Sequence, residues 1–126
     1  MPSNNRNPSD DAAPKAAPNK GPDEKFVALR KGLLEFAILT VVSGAKVYAA
    51  DLLARLAGTP FATQEGTLYP LLSKLRREGL LDYEWVESEA GPPRKYYSLT
   101  EPGRIRLAEL GAYWRRLNET IDNLGA

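Results

Sequence analysis

Apolar residues recur every three or four positions through most of the chain and switch to every second position in one stretch past its centre. From Phe26 to Val42 the spacing is helical, and after Phe36 the segment is almost wholly apolar. That pattern predicts a helix buried on most sides, ended by Ser43-Gly44-Ala45. A second, shorter helix is predicted from about Tyr48 to Ala57, with Leu52, Leu53 and Leu56 on its inner face and Gly58-Thr59-Pro60 breaking it. From Leu68, the positions of Leu71, Leu72 and Leu75 fall at i+3, i+4 and i+7, one stripe of a third helix. Pro70 donates no backbone hydrogen bond and disfavours helical geometry at Tyr69, so the start of this helix falls between Thr63 and Thr67. Gly79 is its stop signal.

The period then changes. Leu81, Tyr83 and Trp85 alternate with Asp82, Glu84 and Val86, the signature of a half-buried strand. Glu89 to Pro93 reads as a turn, and Arg94-Lys95-Tyr96-Tyr97-Ser98-Leu99 as the return strand. A hairpin of two strands is marginal alone, so it must pack on the helices. Thr100, Glu101 and Pro102 open a last helix. On it Leu107, Leu110, Trp114, Leu117, Ile121 and Leu124 are spaced three, four, three, four and three apart, an a/d seam. The preceding elements can close their own core, so this seam calls for a partner, most simply a second copy of the chain.

The outward face of the third helix carries the first candidate chemistry. Gly66, Tyr69, Pro70, Ser73, Lys74 and Arg77 point away from the leucine stripe. Phenol, hydroxyl, ammonium and guanidinium suit phosphate oxygens and base edges. Charge alone fits equally well an ordinary solvated face near a helix C-terminus, where cations suit the dipole. The hairpin shifts the balance, because Arg94 and Lys95 stand beside its tip, in reach of phosphate or a minor groove. Asp82, Glu84, Glu87 and Glu89 make the rest of the hairpin acidic, so only the tip can be an electrostatic contact. A basic helix followed by a basic-tipped hairpin is the layout of a winged helix-turn-helix. The expected fold is therefore mainly α with a small β-hairpin, a winged helix-turn-helix followed by a C-terminal dimerisation helix. The domain boundaries expected are a tail over 1–24, a DNA-binding domain over 25–100 and a dimerisation helix over 101–126.

Composition narrows the alternatives. The whole chain carries a formal net charge of +1. Residues 1–24 hold three basic and four acidic residues, which leaves 14 against 12, a net of +2, for the remainder. Nucleic-acid contact must then come from local placement and not from a basic coat. The sequence has no cysteine and no histidine. Disulfides are excluded, a zinc or copper site lacks its usual ligands, and the common general base and thiol nucleophile are missing. No cofactor, no metal and no enzymatic activity are expected. Residues 1–24, with five prolines and no periodic apolar face, are expected to form a mobile tail. Arg6, Lys15 and Lys20 give it a route to DNA, although an inert linker is the simpler reading. With no signal-like apolar segment and no membrane span, a cytoplasmic location is expected.

Three strings now point to a family. Glu65-Gly66-Thr67-Leu68-Tyr69-Pro70-Leu71-Leu72, then Leu75-Arg76-Arg77-Glu78-Gly79-Leu80-Leu81, then Glu87-Ser88-Glu89-Ala90-Gly91-Pro92-Pro93-Arg94-Lys95-Tyr96-Tyr97-Ser98-Leu99-Thr100 closely resemble the PadR family of bacterial transcriptional regulators. The match continues through Glu101-Pro102-Gly103 and extends back, more weakly, through Leu29 to Leu56. One departure is Val47-Tyr48-Ala49, where many relatives have a glycine beside the tyrosine. The resemblance implies a dimeric repressor of double-stranded DNA, with the helix bearing Tyr69 in the major groove and the wing bearing Arg94 and Lys95 beside it. Gln64, Thr67, Tyr69, Ser73, Lys74, Arg77, Arg94 and Lys95 are the DNA-binding candidates. The resemblance also implies that Trp114 can sandwich a flat aromatic effector at the dimer interface, with Tyr113, Arg115 and Arg116 nearby. Without it, Trp114 is a large interface residue. The competing function is a winged-helix module used for protein contact, its basic helix a plain surface.

Overall fold

The computed structural model describes residues 22–126. The expected tail over 1–24 lies outside the described residues as far as position 21. Its last residues enter a 3-10 helix, Pro22–Phe26, in which the Lys25 ammonium sits over the Phe26 ring. Two compact units are distinguished, the stretch ending at Gly32 and Leu33–Ala126. Helix α1 runs Val27–Gly44, α2 Ala49–Leu56 and α3 Glu65–Arg77. Strands β1 (Leu81–Ser88) and β2 (Gly91–Leu99) form an antiparallel hairpin, and α4 spans Glu101–Leu124.

The core of the larger unit is one cluster. Leu34, Ile38, Leu39 and Val42 of α1 meet Leu52 and Leu56 of α2 and Leu68, Leu72 and Leu75 of α3. Leu80, Leu81, Tyr97 and Leu99 close it from the base of the hairpin. The expectation that α1 is buried on most sides is corrected within the single chain. Leu33, Phe36, Ala37 and Val41 are only half-buried and Thr40 is exposed, because no element of the same chain covers that side completely.

Chain punctuation follows side-chain chemistry. Gly79 takes φ +79°, and the Leu80 amide donates to the Leu75 carbonyl at 3.0 Å, closing α3 with a left-handed cap. At the start of α4, the Thr100 hydroxyl accepts from the Gly103 amide at 3.0 Å and donates to the Gly79 carbonyl at 2.6 Å. One threonine therefore caps α4 and ties it to the end of α3. The hairpin turn is tighter than the sequence suggests. Only Glu89 and Ala90 lie between the strands, and Gly91-Pro92-Pro93 belongs to β2. Prolines are tolerated there because the pairing is already irregular, passing from Val86–Arg94 to Ser88–Gly91. An unforeseen bridge joins Val47 to Tyr97 through two backbone hydrogen bonds, of 2.7 and 3.1 Å. It pins the start of α2 to the wing.

Candidate nucleic-acid interface

Helix α3 begins at Glu65 with Gln64 as its extended cap residue, inside the range set by the sequence. Pro70 therefore falls in the second turn, and the Gly66 carbonyl loses its usual helical donor. Both residues are exposed, so water can satisfy that carbonyl and the ring meets no neighbouring helix. With Leu68, Leu72 and Leu75 buried, the opposite face presents Tyr69, Ser73 and Arg77 outward.

The wing divides its two cations. Successive residues of a strand face opposite ways, and Arg94 and Lys95 are neighbours. The Arg94 guanidinium stacks 4.4 Å from the Tyr48 ring centroid, and Tyr48 in turn meets Tyr96 edge-on at 5.2 Å. The Lys95 ammonium instead lies 4.5 Å from the centroid of Tyr83 and 5.5 Å from that of Trp85. Arg76, at the end of α3, caps the Tyr83 ring at 4.6 Å. Trp85 is 61% exposed, contrary to the expectation of a half-buried strand. The alternation holds from Leu81 to Glu84 and then inverts, with Val86 half-buried, because the hairpin outruns the core and only Leu81, Tyr97 and Leu99 on that face are buried.

A cavity of about 520 Å³ gathers residues from α2, α3 and the wing. Tyr69, Ser73, Arg94 and Lys95 line it together with Tyr48, Ala49, Ala50 and Tyr97. Four of the eight sequence candidates thus converge on one concavity. Thr67 and Arg77 on α3, and Gln64 at its cap, are exposed but outside the cavity. Lys74 is turned to the other flank of α3, 3.4 Å from Glu35 of α1 and 3.3 Å from Glu78. The hydrogen bond with Glu78, then the Glu35 charge, hold its ammonium above the usual lysine range. Glu35 also reaches Arg106 of α4 at 3.4 Å. The sequence candidates did not include Tyr48, Ala49, Ala50 and Tyr97, which also line the cavity. Tyr97 carried no signal beyond alternation, because its bridge to Val47 is a long-range contact.

The helical seam divides as well. Leu107 and Leu110 pack against the chain's own core. Trp114 is 37% exposed, Ile121 66% and Leu124 79%. Trp114 lines a second, apolar groove of about 520 Å³ with Leu33, Phe36, Ala37 and Val41 of α1 and Phe61 of the α2–α3 loop. Among the described residues no acidic cluster could hold a metal ion, and no helix is long and apolar enough to cross a membrane.

Comparison with known proteins gives the same architecture. The profile of the transcriptional regulator PadR-like family matches residues 38–109. A PadR-like transcription factor from Bacteroides fragilis is 46% identical, covering 81% of this chain and 99% of its own, with a TM-score of 0.69. A PadR-like transcriptional regulator from Bacillus cereus is 36% identical over 77% of this chain and 95% of its own, with a TM-score of 0.68. A PadR family regulator from Eggerthella lenta is 32% identical over 81% and 89%, with a TM-score of 0.73. A protein from Lysinibacillus sphaericus is 26% identical over 95 residues, 73% of this chain and 87% of its own length. The winged helix-turn-helix with its following α4 is the fold these structures share, and the chain belongs to the PadR-like family, whose members are transcriptional regulators and not enzymes.

Proposed function

We propose that the protein is a homodimeric, cytoplasmic repressor that binds a palindromic operator. Residues 25–100 form the DNA-binding domain, 101–126 the dimerisation helix, and 1–24 a linker-like tail. Tyr69, Ser73 and Arg77 on α3 enter the major groove, with Gln64 and Thr67 at its edge, Arg94 and Lys95 on the wing, and Lys74 on the flank. The observation that carries the reading is the convergence of Tyr69, Ser73, Arg94 and Lys95 on one cavity beside the start of α2. Hydroxyls and cations meeting in a concavity suit a curved polyanion better than a flat protein partner.

The dimer reading rests on Trp114, Leu117, Ile121 and Leu124, which remain exposed after Leu107 and Leu110 have packed at home. Two-fold pairing along α4 places two α3 helices about one turn of DNA apart. The apolar groove beside Trp114 supports release by a small aromatic effector, acting by shifting the angle between recognition helices. Selection of bound sequences from random duplex DNA at moderate salt tests the reading. An enriched inverted repeat with half-sites about 10 base pairs apart is expected. Weak, unselective binding would move the assignment to a protein-contact module.

A further inference from the structure

The cavity between α2, α3 and the wing has the chemistry of an anion seat. Tyr48 occupies the cap position of α2 without a side-chain capping bond. The first amide of that helix to find an acceptor within it is that of Leu52, bonded to the Tyr48 carbonyl at 3.0 Å. Ala49 and Ala50, which line the cavity, therefore bring unsatisfied amides and the positive end of the helix dipole to its wall.

The second observation is independent of the helix. Tyr97 is only 6% exposed and lines the same cavity. Its hydroxyl has no hydrogen-bond partner among the described residues. A hydroxyl that meets the cavity without a protein partner is free to donate to an acceptor from outside the chain. Burial, then the phenols of Tyr83 and Tyr69, push its ionisation upward, so the group keeps its proton and can donate it. Across the cavity Arg94 is held against Tyr48 with no carboxylate in ion-pair reach among the described residues. Asp51 of α2 and Glu84 of β1 are engaged elsewhere, Asp51 by Arg55 at 3.7 Å and Glu84 by Lys46 at 2.7 Å.

We propose that this cavity seats a single tetrahedral oxyanion, with the Ala49 and Ala50 amides, the Tyr97 and Tyr69 hydroxyls, Ser73 and Arg94 directed to it. The source we assign is one phosphodiester of the operator backbone, which rests on the DNA-binding reading above; the seat itself does not. Amides, hydroxyls and a guanidinium all offer protons, so a neutral ligand or a cation would leave most of them unmatched. The Val47–Tyr97 bridge holds the start of α2 and the wing in one piece, so the seat also fixes where the wing meets the strand.

Two arms test this. In the first, inorganic phosphate is titrated against chloride at equal ionic strength, and the Ala49 and Ala50 amide resonances are followed. They shift in the parent and stay still in Tyr97→Phe, which retains the ring, and in Arg94→Gln, which changes only an exposed side chain. In the second, single methylphosphonates are scanned through the duplex recovered by selection. One position per half-site costs the parent about tenfold or more in affinity. Tyr97→Phe, already weakened by a similar factor on natural DNA, loses nothing further there. Amides that ignore phosphate in the parent, or equal binding of natural DNA by Tyr97→Phe and parent, overturn the seat. Amide shifts with phosphate but no selective DNA binding keep the seat, assign it to a free phosphorylated molecule, and remove the operator reading.

Discussion

The Glu35 carboxylate of α1 stands 3.4 Å from the Lys74 ammonium of α3. Through its other oxygen it holds Arg106 of α4 at the same distance, while Lys74 also touches Glu78 and Arg106 touches Glu109. Five charges alternate in sign across three helices. The pairs are partly solvated and add about 0–1 kcal/mol each, but they leave the charge of Lys74 largely compensated before any DNA arrives. Glu35→Gln frees it. The variant is expected to bind DNA more tightly at low salt, and its log affinity against log salt to steepen by roughly one unit per recognition helix. An unchanged slope, measured by fluorescence anisotropy, would mean that Lys74 never reaches a phosphate.

Alkaline pH should expose the buried phenol. Tyr97 ionises above its ordinary value of 10.0 in the folded chain, and Lys74 above 10.5. Both therefore keep their protons longer folded than unfolded. Their stabilising contribution is complete below those ordinary values and is lost as pH rises through the raised ones. Melting temperature should be insensitive to these groups from about pH 6 to 9 and should fall above about pH 10. Tyr97→Phe removes one contributor, so its alkaline decline is expected to be shallower. Parallel curves for variant and parent would refute the assignment.

Gly103 admits no side chain. A Cβ there would lie inside the Leu80 carbonyl and press on the Leu99 side chain. Backbone cannot move aside as a flexible side chain can, so Gly103→Ala is expected to cost about 2 kcal/mol. Thr100→Ala, which removes the cap and the bond to Gly79, should cost about 1 kcal/mol. Calorimetry would show the alanine at 103 lowering the melting temperature by roughly 10 °C. A smaller loss at 103 than at 100 would contradict the close approach.

The exposed half of the seam can be separated from the folded domain. Ile121→Glu is expected to raise the dimer dissociation constant by about thirtyfold or more while leaving the melting of the monomeric domain unaltered. Trp114→Ala should weaken the dimer too, and it also opens the groove shared with Phe36 and Phe61. Sedimentation at several concentrations gives both answers. A stable dimer of Ile121→Glu would place the interface elsewhere.

Local patterning alone makes the helices and the hairpin legible. Leucine spacing marks α3 within two residues of its start, and Thr100 with Pro102 marks the first residue of α4. What stays hidden depends on contacts between distant segments. Val47 and Tyr97 are fifty positions apart, so no period in either stretch announces their bridge. Trp85 is placed inward by alternation and stands exposed, because alternation cannot tell where the core beneath a strand runs out. Lys74 follows Ser73 on the helix, and its pairing with Glu78 four residues on is legible in the sequence; its second partner, Glu35 on another helix, is not. The family strings identify the region of the interface, whereas the division of Arg94 from Lys95 needs the third dimension.

The fixed root of α4 gives that helix a mechanical character. Glycine at 103 and threonine at 100 clamp its first turn to the carbonyls of residues 79 and 80, while Leu124 stands free at the far end. Twenty-four residues make a rod about 36 Å long. A tilt of about 10° at the clamp would carry the tip roughly 6 Å. Run in reverse, the same ratio means that gripping two such tips together tolerates almost no angular play at their roots. In the dimer proposed above, a small volume change where two such rods cross would become a rotation of the domains they carry.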